Sequence, residues 1–413
     1  MFFYNLVIYF YGFLIKLASF NNIKAKQWVK GRKKWRKQLQ LQLSIHSDKP
    51  KVWIHCASYG EFEQGKPVIE AIKKQKPDHV IILSFFSPSG YEAFKFWNGA
   101  EVVCYLPLDT KKNARDFLKI IKPNKVFFIK YEFWINILIE LKKQHISTYL
   151  ISGVFKTNHP FFKWYGSIFR KSLLSFDQLF IQDVNSGNLL NKINILNYTV
   201  SGDSRFDRVI EIKNNFKSIL FFDEFCSKHK IIVAGSTWPK DEELLINSFK
   251  ALNEPDMKLI LVPHELNQSR VSNLQVLLQK NNLKYQFYNQ KKLNINYNVL
   301  IVDTIGLLSK LYYYADLAYI GGGFNSGIHN CLEAAVYFKP ILFCGNNFNK
   351  YNEALDLINL NAAYNVNSIT DVNKIVKKLL YDKTYLDKIK QNLKFYFDQN
   401  SGATEKVMSR IKW

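Results

Sequence analysis

The sequence predicts an α/β protein of two lobes, each a parallel sheet covered by helices, preceded by a distinct apolar segment. Three observations carry this. From Lys51 onward, short β-branched and aromatic runs alternate with longer amphipathic stretches, which is the pattern of doubly wound parallel sheets. The alternation pauses in a Lys/Asn-rich stretch at 211–218 and then restarts. A chain of 413 residues with 47% hydrophobic content is also long for one core and suits two domains. The expected division is 1–22 for the apolar segment, 23–208 for the first lobe and 209–413 for the second.

Strands are expected at 52–56, 80–84, 102–105, 125–129, 148–151, 178–181 and 198–201 in the first lobe. In the second they are expected at 231–234, 259–262, 299–302, 317–320 and 341–344. Parallel sheets bind ligands beyond the carboxyl ends of their strands, so two such lobes predict an active site in the cleft between them. The polar motifs fall where this requires. His55-Cys-Ala-Ser-Tyr-Gly-Glu61, Ser84-Phe-Phe-Ser-Pro-Ser-Gly90, Gly235-Ser-Thr-Trp238, Pro263-His-Glu265 and Gly321-Gly-Gly323 each follow an expected strand directly.

Residues 1–20 are almost wholly apolar and aromatic, interrupted by Asn5, Lys16 and Ser19; about 20 residues is the length at which a helix can cross a bilayer. Lys24, Lys26, Lys30, Arg32, Lys33, Lys34, Arg36 and Lys37 follow, and the first acidic residue is Asp48. That order of charge is the reverse of a cleaved secretory signal and keeps the basic stretch cytoplasmic. On its residues alone the segment spans a membrane, lies in its surface, or forms a buried helix of the fold.

The net charge of +23 and pI near 9.5 point to anionic partners: nucleic acid, anionic lipid or phosphorylated small molecules. Five scattered cysteines form no disulfide framework or zinc spacing, and no HExxH or Asp-X-Asp pair is present. Metal-free chemistry in a reducing compartment is the expectation.

Several strand ends carry residues suited to catalysis. Glu61 follows a hydrophobic strand, with Gly60 expected to let the backbone turn tightly, and can serve as a base or simply as a helix-start carboxylate. Glu132, beside Trp134, is a second such carboxylate, and Arg205 lies at the expected lobe junction, where an inter-domain salt bridge is the plain alternative. The run from Gly321 to Glu333 reads as a glycine-rich turn entering a helix, with His329 and Glu333 on one helical face; it is either a phosphate site or a close-packing turn. Asp303-Thr-Ile-Gly306 offers a second helix start, and Gly345 to Glu353 a polar loop suited to sugar hydroxyls.

Together these motifs resemble the Kdo (3-deoxy-D-manno-oct-2-ulosonic acid) transferase family of GT-B glycosyltransferases, in order from the N-terminal segment to about Ala363. The resemblance rests on Trp53-Ile-His-Cys-Ala-Ser-Tyr-Gly-Glu61, Tyr105-Leu-Pro-Leu-Asp109, Glu132-Phe-Trp-Ile-Asn136, Ser201-Gly-Asp-Ser-Arg-Phe-Asp207, Gly235-Ser-Thr237, Asp303-Thr-Ile-Gly306 and Gly327-Ile-His-Asn-Cys-Leu-Glu333. It implies two Rossmann-like domains facing a central cleft with an N-terminal hydrophobic anchor helix. The implied reaction is an inverting transfer of Kdo from CMP-Kdo to a lipid A precursor at the cytoplasmic face of a bacterial inner membrane, with no metal and no nucleic acid. Glu61 would be the base, and Glu132 and Arg205 would stabilise the transition state. Pro263, His264, Ile305, Gly306, Leu307, Asn330, Cys331, Leu332 and Glu333 would hold CMP. The chain departs from the family pattern in having His264 for arginine, Leu307 for glutamate, Ile135 for proline and Arg205 for lysine. The alternatives are another nucleotide-sugar transferase or epimerase of this fold and, from a different class, a membrane-tethered nucleic-acid binder using the basic arm with Trp28 and Trp35.

Overall fold

The computed structural model describes residues 1–290, 292–325 and 327–413, so Ser326 of the glycine-rich motif lies outside the described residues. The chain forms two compact units, Met1–Arg208 with Asn400–Trp413, and Val209–Gln399.

The first unit holds β1 (Lys51–Cys56), β2 (Val80–Phe85), β3 (Val102–Tyr105), β4 (Lys125–Ile129), β5 (Ser147–Gly153), β6 (Gln178–Ile181) and β7 (Tyr198–Val200). They pair in parallel in the order β3-β2-β1-β4-β5-β6-β7. All six residues of β1 are buried. Trp53 packs in the core on one face, while Val52, Ile54 and Cys56 pack on the other, as the two-residue period of a strand requires. The sheet extends one way from β1 and the other way from β4, so the turns after these two strands diverge and open a crevice at the switch point.

The second unit repeats the logic. It holds β8 (Lys230–Thr237), β9 (Met257–Pro263), β10 (Tyr285–Phe287), β11 (Val299–Ile301), β12 (Leu317–Ile320), β13 (Ile341–Phe343) and β14 (Ala363–Asn365), in the parallel order β10-β11-β9-β8-β12-β13-β14. Its switch point lies between β8 and β12.

Every expected strand is present. The two that sequence patterning missed, β10 and β14, are three-residue strands at the two edges of the second sheet, and each breaks its apolar run with a polar residue, Gln286 or Asn365. The last segment also differs from the expected division. In the helix Ala403–Arg410, Val407 and Met408, with Ile411 just beyond it, join the core beside Val68 and Ile72 of the first unit. Asp207 accepts the Gly402 and Thr404 N–H groups at 2.7 and 2.6 Å, satisfying donors at that helix's start.

Three helices precede β1: α1 (Phe2–Ala18), α2 (Ile23–Gly31) and α3 (Trp35–Ser44). Among the described residues no helix is long and apolar enough to cross a membrane. Helix α1 turns Tyr4, Asn5, Ile8, Gly12 and Ile15 toward the protein and leaves Phe2, Phe3, Leu6, Val7, Phe10, Phe13, Leu14 and Leu17 exposed. Its outward side is thus the apolar one, opposite to an ordinary surface helix.

The basic stretch divides by residue type. Lys24, Lys26, Lys30, Lys33, Lys34 and Lys37 are exposed. Arg32 instead lies 3.8 Å from the Trp28 ring and donates to the carbonyls of Leu106 and Phe86 at 2.8 Å each; burial pulls its pKa down to about 9. Arg36 pairs with Asp116 at 2.7 Å. Trp28 is buried and Trp35 packs on Phe117, so neither offers the open face that base stacking needs, and the nucleic-acid reading loses its aromatic support.

Candidate functional site

Glu61 belongs to α4 (Tyr59–Gln75), the helix that begins three residues after β1 ends. Ser58 is its extended N-cap, and Glu61 Oε2 accepts the Ser58 N–H at 3.0 Å. The helix-start role is therefore real, and it fixes the carboxylate at the strand end. Burial and the nearby Glu132 push the Glu61 pKa up to about 7, against Lys130 and the Ala57 and Ser58 N–H groups. A carboxyl poised there is a base at neutral pH. Gly60 does not serve the tight turn expected of it. It lies within α4, and a Cβ there would meet nothing within 4 Å, so the glycine leaves open space beside Glu61.

Glu132 is buried in the turn after β4, next to Lys130, whose φ of +66° is left-handed. A chain of buried groups holds it. Indole N–H groups only donate, so Ser84 Oγ accepts from Trp53 Nε1 at 2.8 Å, and His55 Nδ1 lies 2.8 Å from the same hydroxyl and 3.1 Å from the Ser84 carbonyl oxygen. His55 Nε2 then donates to Glu132 Oε2 at 3.0 Å, and Trp134 Nε1 donates to the same oxygen at 2.6 Å. Sequence reasoning gives no role to His55, Ser84, Lys130 or Trp134. A signal existed for His55: it is a polar residue inside an otherwise apolar, fully buried strand, where it needs partners.

Arg205 is held within its own motif. Its Nε and one terminal nitrogen lie 2.8 and 2.7 Å from Asp203 Oδ2, and its backbone N–H donates to Asp203 Oδ1 at 2.9 Å. Tyr131 reports where these groups meet. Burial raises its hydroxyl pKa, Arg205 opposes the rise, and Asp183, Glu61 and Asp203 add to it. Glu61, Glu132 and Arg205, from the ends of β1, β4 and β7, thus share one electrostatic neighbourhood within the first unit.

In the second unit, Pro263 ends β9 and the His264 N–H donates to Thr237 O at 3.0 Å. The His264 ring lies between Trp238 and His329, with centroids 4.9 and 4.5 Å away. Burial, then His264, lowers the His329 pKa to about 4. Asp241 fastens the turns at the switch point, accepting from Tyr319 Oη at 2.6 Å, Trp238 N at 2.9 Å and Gly322 N at 3.0 Å. Arg270 is engaged by Glu242 at 2.8 Å.

The helix starts expected here are smaller than supposed. Gly306 and Asn330 precede single turns, Leu308–Leu311 and Leu332–Ala335, and His329 lies before the second of these, so it shares no helical face with Glu333. The glycine run has a packing reason: a Cβ on Gly321 would lie 2.3 Å from Ser236 O, and one on Gly323 1.6 Å from Cys344 O. Cys331 and Leu332 are fully buried, so the partly exposed residues of this turn are His329, Asn330 and Glu333. Asn330 Nδ2 donates to Glu333 Oε1 at 3.2 Å, and Ile305 is exposed. Among the described residues no group of three or more His, Cys, Asp and Glu side chains is placed to hold a metal ion.

Two Rossmann-like units with polar turns at both switch points define a protein of the GT-B fold class. The fold is shared with the UDP-GlcNAc 2-epimerase of Neisseria meningitidis solved with UDP-GlcNAc, at a TM-score of 0.61 and 16% identity, covering 87% of this chain and 98% of that one. Residues 33–208 match the family model described as 3-deoxy-D-manno-octulosonic-acid transferase (kdotransferase). The 3-deoxy-D-manno-octulosonic acid transferase of Aquifex aeolicus is 26% identical over 343 residues, 82% of this chain and 88% of that protein. A bifunctional glycosyltransferase/methyltransferase of Fusobacterium nucleatum is 26% identical over 382 residues, 88% of this chain; the match spans 57% of that longer relative. The chain is thus similar to Kdo transferases over most of its length, and the match to that family's model falls within its first unit.

Proposed function

We propose that the protein transfers Kdo from CMP-Kdo to a lipid A precursor, with inversion at the anomeric carbon. The observation that carries the reading is Glu61, capped at the end of β1 beside Glu132 and poised near neutral pH. An acceptor hydroxyl attacks the anomeric carbon, and Glu61 takes its proton as the new C–O bond forms. The bond from that carbon to the phosphate oxygen breaks, and CMP departs with the electron pair. Arg205, held by Asp203, supplies positive charge beside the reacting groups. We assign the CMP part of the donor to the second unit, through the His264 ring and the loops 305–307 and 330–333. The sequence offers no Asp-X-Asp pair, and transfer proceeds without a metal.

The outward apolar side of α1 and the exposed lysines beyond it suit the surface of an anionic inner membrane on its cytoplasmic side. Here α1 lies in the interface rather than crossing it.

Incubating the protein with CMP-Kdo and tetra-acylated lipid A precursor, then weighing the lipid by mass spectrometry, tests donor and acceptor together. A mass increment of Kdo that persists in excess EDTA is expected. Transfer from UDP-sugars in place of CMP-Kdo, or epimerisation of a UDP-sugar, would replace this reading with the alternative that shares the fold.

A further inference from the structure

The inward side of α1 is bound to the segment that carries Glu132. Tyr4 Oη donates to Asp109 Oδ2 at 2.5 Å. The same carboxylate accepts the backbone N–H groups of Asn136 at 2.9 Å and Ile137 at 3.0 Å, the first turn of the helix Ile135–Lys143. The Ile135 N–H reaches back to Tyr4 Oη at 3.4 Å, and Asn136 Nδ2 donates to Asn5 Oδ1 at 2.9 Å. Helix α1 also lies close against the loop that carries Asp109, since a Cβ on Gly12 would come 2.8 Å from Leu108 Cδ2. Trp134, the residue before the helix Ile135–Lys143, donates to Glu132.

A helix that served only to meet lipid would need apolar contacts on its inner side. Here the two polar residues of the inward stripe, Tyr4 and Asn5, both reach one helix start, through a carboxylate that is itself buried. Such a carboxylate depends on its donors, because losing one leaves it under-solvated.

We propose that Tyr4 is a positioning residue: by docking α1 onto Asp109 it fixes the start of the helix Ile135–Lys143, and through Trp134 the carboxylate of Glu132. The apolar helix is then a strut for the site as well as a surface. The positioning needs no substrate; only its effect on turnover rests on the proposed function.

The test is Tyr4→Phe in the full chain, read three ways: amide exchange at 130–137, turnover with CMP-Kdo and lipid A precursor, and pelleting with vesicles of phosphatidylethanolamine and phosphatidylglycerol. Exchange at Asn136 and Ile137 should quicken about tenfold or more, the range expected when a buried charged group loses a donor. The kcat should fall while KM and pelleting stay as in the wild type. Phe10→Ser, on the outward side, should weaken pelleting and leave exchange at 130–137 unchanged. Wild-type exchange at 130–137 in Tyr4→Phe would overturn the proposal. If Tyr4→Phe instead loosens the whole first sheet, Asn5→Ala decides, local quickening supporting the proposal and wild-type exchange overturning it. Should the wild type transfer no Kdo while Tyr4→Phe still quickens exchange, the functional reading fails and the positioning stands.

Discussion

His55 Nε2 lies 3.0 Å from Glu132 Oε2, so the carboxylate at the end of β4 is held from inside the sheet by the neighbouring strand β1. His55 is fully buried and Glu132 nearly so. Removing the ring in His55→Ala takes a donor from a buried carboxylate and opens a void, at a cost of about 1–3 kcal/mol for the lost donor alone. The urea midpoint should drop with the m-value unchanged, and kcat should fall with it. A midpoint equal to the wild type would show that His55 is not what holds Glu132.

The glycines divide into two kinds, and substitution separates them. A Cβ at Gly323 would lie 1.6 Å from Cys344 O, whereas one at Gly60 meets open space inside a helix. Gly323→Ala should destabilise by about 1–3 kcal/mol or more through overpacking. Gly60→Ala should be neutral or stabilising by up to about 1 kcal/mol from helix preference. Thermal unfolding of the two variants checks the contrast, and equal effects would contradict it.

Arg205 and Asp203 form a partly exposed pair, whose contribution to stability is small, about 0–1 kcal/mol. Arg205→Ala should therefore leave the melting temperature nearly unchanged while kcat falls, and Arg205→Lys should recover part of the loss by restoring the charge. A large drop in melting temperature with unchanged kcat would assign Arg205 to the fold instead.

Much of this was legible in the sequence because parallel strands buried on both faces read as apolar runs, and polar loops at their ends stand out against them. Glu61, Glu132 and Arg205 could be placed near strand ends that way. What could not be found depends on contacts across the sheet. His55 becomes significant only when β1 pairs with β2 and β4, which brings Ser84 and the turn of Glu132 to its two ring nitrogens. The apolar look of 1–20 concealed a stripe of inward contacts, because Tyr4 and Gly12 differ little from their neighbours in hydropathy. The helix starts at Gly306 and Asn330 were overread for a related reason: loop length and short turns leave little periodic signal.

The pH dependence follows from Glu61. Its pKa is raised from 4.5 to about 7, so the folded protein holds this proton more tightly than the unfolded chain. Glu61 therefore opposes folding by an amount that grows as pH rises from 4.5 and levels off above about 7. The base is needed ionised, so kcat/KM should climb with pH and reach a plateau above about 7. A profile already flat between pH 5 and 8 would remove Glu61 as the titrating base.

In the proposed reaction Glu61 accepts the proton of the attacking hydroxyl. Glu61→Gln keeps the shape of the side chain and an oxygen for the Ser58 N–H, but cannot take up a proton. Turnover of this variant with CMP-Kdo and lipid A precursor is the direct measurement. The variant should fold and still bind CMP-Kdo, while its kcat falls by at least about a hundredfold, the low end of what a positioned base contributes. Turnover close to that of the wild type would contradict it and move the role of base to Glu132.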